Sequence, residues 1–201
     1  MPEFRDRTYS AFLFDMDGTL LDSSAVVERV WLTWARKHGI DADALLAAMH
    51  GVRAEDTVRR FAGPKLDIAR ETEWIAQAEL TDVEGVVPLE GIGVLLDQLE
   101  PDDWAVVTSA TRELATVRMN AAKLPIPRVL ITAEDVRRGK PDPEGFQLAA
   151  RRLGVRIETC LVFEDSPAGV VAAKAAGAHV AIVGGQVPDS EGHFALANYL
   201  S

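Results

Sequence analysis

Five short apolar runs punctuate the chain: Ala11–Phe14, Trp104–Val107, Arg128–Ile131, Cys160–Phe163 and His179–Val183. They read as buried parallel strands. Helical stretches separate the later ones: "TRELATVRMNAAK", "PEGFQLAARRLG" and "SPAGVVAAKAAG". In the second, Asp142 stands as an N-cap, Pro143 at the first helical position and Gly154 at the stop; the third also has an early proline and ends at Gly177. Strand and helix in regular succession predict an α/β fold, a doubly wound parallel sheet.

One segment breaks that succession. Residues 24–88 carry no strand signal and read as helices: "SAVVERVWLTWARKHG", "DADALLAAMHG", "AEDTVRRFAG" and "DIARETEWIAQAELTDVEG". On the first, Val27, Val30, Trp31 and Trp34 recur at three- and four-residue spacing and so share a face. The expected organisation is an α/β core of residues 1–22 and 89–201, with an all-helical insertion at 23–88. A chain of 201 residues is long enough for a substantial core. The formal net charge is -10 and no basic cluster stands out, which argues against a nucleic-acid partner. Cys160 is alone, so no disulfide framework exists within the chain. The segment "MPEFRDRTYS" lacks a signal-peptide core, and no apolar run approaches spanning length. A cytoplasmic monomer, away from membranes, is the expectation.

Each run ends in chemically useful groups. The first leads into Asp15 and Asp17, in "FDMDGTLLDS"; the second into Thr108 and Ser109; the fourth into Glu164 and Asp165, in "FEDSPAG". Lys140 lies in "RRGKPDP", between the third and fourth. Ligands of open parallel sheets bind beyond the carboxyl ends of the strands, so these groups meet there. Asp15 and Asp17 are two apart and point to the same side, with Met16 opposite. One carboxylate can serve as nucleophile and the other as proton donor. Asp165 adds an oxygen ligand for a hard cation, and Lys140 and the Thr108 hydroxyl suit phosphate oxygens. Asp15, Asp17, Glu164 and Asp165 would be four negative charges against one lysine. At about 4 Å, two such charges repel by roughly 4 kcal/mol at an effective dielectric near 20. A divalent ion relieves that repulsion, so magnesium is the expected cofactor.

"DMDGTLLDS", "TSA", the "GKP" lysine and "FEDSPAG", in that order, resemble the four motifs of the haloacid dehalogenase-like hydrolases, over residues 11 to about 185. The helical insertion resembles that family's cap. "HGVRAEDTVRRF" is similar to cap segments of its glycerol- and deoxyglucose-phosphate phosphatases. The resemblance implies that Asp15 attacks phosphorus and becomes a phospho-aspartate. It implies that Asp17 protonates the leaving alkoxide and then activates water. Thr108, with Ser109 beside it, would bind phosphate and Lys140 would orient it. Magnesium would be held by Asp15, the Asp17 carbonyl and Asp165, with Glu164 binding directly or through water. The substrate implied is a small sugar or polyol phosphate, whose far end His50 and Arg53 of the cap would contact.

The chain departs from some branches. Dehalogenases lack the second aspartate, so Asp17 argues against that activity. The mutase branch, such as β-phosphoglucomutase, usually carries a histidine where Val27 stands. Neither Lys37 nor Lys65 resembles the cap lysine of the phosphonatases. The chain ends with "ALANYLS", where relatives often continue into a final helix. Plainer readings exist as well. The aspartates could form an Asx-turn, Lys140 could be solvated, and Glu164–Asp165 could be acids at a helix start. Thr108 and Ser109 could cap the next helix. His50 and Arg53 could lie in solvent, as could His38 at a helix end. Two rival functions stand beside the phosphatase: a sugar-phosphate mutase, and a phospho-accepting signalling module.

Overall fold

The computed structural model describes residues 1–184, 194–196 and 198–200. It opens with an antiparallel hairpin of β1 (Glu3–Phe4) and β2 (Arg7–Thr8). Then come β3 (Ala11–Phe14) and β4 (Leu21–Asp22). Four helices follow: α1 (Ser24–His38), α2 (Ala42–Met49), α3 (Ala54–Phe61) and α4 (Ile68–Thr81). β5 (Val87–Pro88) and α5 (Ile92–Leu96) lead back to the sheet. The remainder alternates: β6 (Trp104–Val107), α6 (Arg112–Ala121), β7 (Val129–Ile131), α7 (Glu144–Leu153), β8 (Cys160–Glu164), α8 (Pro167–Ala176) and β9 (His179–Val183), with β10 (Phe194–Leu196) last.

Six strands pair in the order β10-β9-β8-β3-β6-β7, all parallel. Five of these strands are those that the alternation predicts; β10 is an addition to them. β3 lies inside it, with Phe14 opposite Phe163 on one side and Val106 on the other. Strand order runs outward in opposite directions from β3, so a crevice opens beyond its carboxyl end. Side chains of β3 alternate between two cores. Phe12 and Phe14 join Phe163 and the cap residues Trp31 and Trp34 on one face. Ala11 and Leu13 join Val162 and Phe146 on the other. The Phe14 and Phe163 rings stack with centroids 4.7 Å apart.

Some boundaries differ from the sequence reading. The third run starts at Val129, because Arg128 turns to solvent and pairs with Asp102 at 2.5 Å. The fourth extends to Glu164, whose backbone stays in register with Ile182. The sequence carries no strand signal over residues 24–88, yet Val87–Pro88 pairs antiparallel with Leu21–Asp22. This two-residue ribbon ties together the two ends of the helical insertion, and it is too short to leave a periodic signal. Pro143, not Asp142, takes the position before α7; the Asp142 carboxylate still accepts the Glu144 N–H at 3.0 Å. His38 is not a free helix-end charge, since it bonds Glu71 at 2.9 Å. Trp34 donates to the same carboxylate at 3.0 Å. Cys160 is fully buried, as a small core residue should be. No helix among the described residues is long and apolar enough to cross a membrane.

Candidate active site

The carboxyl ends of β3, β6 and β8 and the loop before α7 bring four of the charged groups together. Asp15 continues β3, its N–H donating to the Phe163 carbonyl at 3.0 Å. Thr108 continues β6 in the same way, donating to the Ile131 carbonyl at 2.9 Å. Glu164 ends β8, and Asp165 follows just before Ser166 caps α8 through the Gly169 N–H. Lys140 is buried and donates to Asp15 Oδ1 and, at 2.5 Å, to Glu164 Oε1. The second Glu164 oxygen accepts both the N–H and the hydroxyl of Ser166 at 2.9 Å. Asp165 Oδ1 accepts the Thr19 hydroxyl at 3.2 Å.

Two glycines make room for these carboxylates. Gly18 has φ +84°, and a Cβ there would overlap the Asp165 carboxylate. A Cβ on Gly169 would overlap the carboxylate of Glu164.

Asp15, Glu164 and Asp165 offer oxygens that all lie within 4.8 Å of one another. Lys140 is the cation bonded to two of the three. Burial pushes the Asp15 carboxyl well above the usual range; Lys140 opposes this, and Glu164 and Asp165 add to it. Burial and then Glu164 push Asp165 up to about 7. Burial works against the charge on Lys140, but Asp15 and Glu164 overcome it and raise its pKa. An all-oxygen, carboxylate-rich set that resists its own ionisation suits a hard divalent cation such as magnesium.

Asp17 faces elsewhere. Its Oδ1 accepts the Ser23 hydroxyl at 2.6 Å and Nη1 of Arg118 at 3.0 Å. It shares with Asp15 the wall of a cavity of about 340 Å³ between the helical insertion and the sheet. Thr108, Ser109 and Arg53 also line that cavity, whereas His50 does not. Thr108 Oγ1 accepts the Ala110 N–H at 3.1 Å. Ser109 donates to the Gly51 carbonyl at 2.8 Å. Arg53 donates to the carbonyls of Val136 at 2.9 Å and Arg137 at 3.3 Å. The Gly51–Arg53 loop is thus held against the ends of the strands. His50, the residue that ends α2, is half-buried.

The sequence reading passed over Arg118 and Glu79. Both line the cavity and form an ion pair at 3.3 Å. Their signal was present. Arg118 shares the buried face of α6 with Leu114, Ala115 and Met119, and Glu79 shares that of α4 with Glu71 and Ile75. A charge on a helix's apolar stripe needs a buried partner.

Comparisons with known proteins agree with this geometry. The family described as haloacid dehalogenase-like hydrolase matches residues 9–177. Hexitol phosphatase A of Escherichia coli is 45% identical over 176 residues, covering 86% of this chain and 82% of that protein. Glycerol-1-phosphate phosphohydrolase 1 of Saccharomyces cerevisiae is 34% identical over 186 residues, covering 85% and 73%. The crystal structure of β-phosphoglucomutase from Clostridium difficile superposes with a TM-score of 0.81 over 96% of this chain and 92% of that one. At 19% identity, that likeness concerns the fold alone.

Proposed function

The chain belongs to the haloacid dehalogenase-like hydrolase family, and on that premise we propose that it is a phosphoric monoester hydrolase acting on a small sugar or polyol phosphate. The observation that carries this reading is Asp15. It ends an inner strand, bonds Lys140, adjoins Asp165, and opens onto a cavity that Asp17 shares. Relatives that are 34–45% identical are phosphatases by name, which favours hydrolysis over a mutase. The cavity volume suits a metabolite.

In this reading residues 1–22 and 89–201 form the core, and residues 23–88 form a cap that excludes bulk water from the reaction. The Asp15 carboxylate attacks phosphorus and the bond to the leaving oxygen breaks. Asp17 donates a proton to that oxygen. Asp17 then takes a proton from water as the water attacks the aspartyl phosphate, releasing phosphate and restoring Asp15. Lys140, with the Thr108 hydroxyl and Ser109 beside it, orients the phosphoryl group and offsets its charge. Asp15, Asp165 and Glu164 would hold magnesium, with the Asp17 carbonyl as a further ligand. When bound, the ion supplies positive charge to the phosphoryl oxygens. Arg53 meets the far end of the substrate.

The test is free phosphate release from a panel of hexitol, deoxyhexose and glycerol phosphates, with magnesium and with chelator. We expect turnover of a few members, lost on chelation. Asp165→Asn should require much more magnesium for half-maximal rate, by about 10-fold or more. Conversion of one sugar phosphate to an isomer without phosphate release would instead identify a mutase.

A further inference from the structure

Arg118 sits where the sheet side of the cavity meets the helical insertion. It lies on α6 and is 3% exposed. Its Nη1 donates to Asp17 Oδ1 at 3.0 Å, and its Nη2 lies 3.3 Å from Oε1 of Glu79 on α4. Glu79 is also buried, and the same oxygen accepts the indole N–H of Trp31, on α1, at 3.2 Å. One guanidinium therefore spans two carboxylates that belong to different layers. A planar fork can hydrogen-bond Asp17 through Nη1 while Nη2 makes an ion pair with Glu79; an ammonium is a single point.

Both hydrogen bonds that Asp17 receives among the described residues fall on Oδ1, one from Arg118 and one from Ser23. Oδ1 is thereby pinned, and Oδ2 is left as the oxygen that can carry a proton to the substrate. Asp17 remains the exposed partner of the pair, with 29% of its side chain open against 4% for Arg118. Both line the cavity, the acid as the more open of the two.

We infer that Arg118 is a positioning residue, which aims the Asp17 carboxyl at the leaving oxygen and takes its own place from the cap through Glu79 and Trp31. The inference rests on the phosphatase reading above and extends it. Its chemical consequence is selective. An alkoxide is a poor leaving group and needs a well-aimed proton donor. A p-nitrophenolate leaves with little protonation. Misplacing Asp17 should slow attack on alkyl phosphates and spare attack on aryl ones.

The experiment compares kcat/KM for a hexitol phosphate and for p-nitrophenyl phosphate, because that ratio reports the first displacement. The variants are Arg118→Lys, Glu79→Gln and the double variant Arg118→Met/Glu79→Gln. The double variant removes one charge of each sign, so that no buried carboxylate of the cap is stranded. We expect the double variant to lose about 100-fold on the alkyl substrate and less than about 3-fold on the aryl one. Arg118→Lys and Glu79→Gln should show the same selectivity at about 10-fold. On the alkyl substrate the loss should fall in kcat more than in KM. Glu79→Gln keeps the size and the hydrogen bonds of the native side chain, so it answers the question even if the double variant fails to fold. Equal losses on both substrates, or no loss on either, would overturn the inference. A wild-type protein that releases phosphate from neither substrate would instead defeat the phosphatase reading itself.

Discussion

Asp15→Asn is expected to abolish phosphate release from every substrate that the native protein accepts, by at least about 10⁴-fold. The amide is close to isosteric and can still accept from Lys140, but it is a far weaker nucleophile. Stability should move the other way. Burial, opposed by Lys140 and reinforced by Glu164 and Asp165, raises the Asp15 carboxyl well above the ordinary value near 3.8. A carboxyl whose folded pKa is raised keeps a proton that the unfolded chain has already released. Its contribution to stability is present at low pH and is lost as pH rises through the folded value. Asparagine never carries that charge. At neutral pH and without metal, the variant should melt at the same temperature as the native protein or higher. A variant that melts lower and still turns over would show that Asp15 is a structural residue.

Lys140→Met should be the most destabilising single change in the site. The side chain keeps its length but loses the charge, leaving Asp15 and Glu164 buried without their shared cation. Breaking one side of a buried ion pair typically costs about 3–5 kcal/mol. Whole domains have only about 5–15 kcal/mol of stability. Phosphate release should fall by at least about 10³-fold, because the displaced charge also orients the phosphoryl group. Urea unfolding separates the two effects. Adding Glu164→Gln should recover most of the lost stability, since it removes the second stranded charge, and should leave activity low. If the double variant recovered activity together with stability, Lys140 would have no role beyond neutralising the cluster.

The sheet was legible because each of its strands but the last is a short apolar run, and all of these but β9 lead into a polar residue. β10 escaped because Phe194–Leu196 carries a single large aliphatic residue and follows no helix signal. The β4–β5 ribbon escaped because two residues cannot show a period. The acidic cluster was legible for a different reason: strand ends collect at one edge of a parallel sheet whatever their separation in sequence. Asp15 and Asp165 therefore meet although 150 positions apart in number order. Asp17 was harder. Spacing alone puts it on the side of Asp15, and it does share the cavity, but its carboxylate turns to Ser23 and Arg118. The side-chain partner that decides this comes from a helix about a hundred residues later, and only its position on an apolar stripe betrays it. His50 and Arg53 lie three positions apart in the motif, yet only Arg53 lines the cavity. A turn at the end of a helix separates them, and no periodicity runs through a turn.

The account depends most on a phosphoryl group passing through Asp15. The direct measurement is the configuration at phosphorus after one turnover, using a hexitol phosphorothioate in which sulfur and two oxygen isotopes make phosphorus chiral, with water carrying the third isotope as the acceptor, so that the thiophosphate product is itself chiral. Each in-line displacement inverts phosphorus. Two displacements, one by Asp15 and one by water, predict net retention. Net inversion would mean that water attacks the substrate directly, and Asp15 would then be no more than a ligand or an orienting charge.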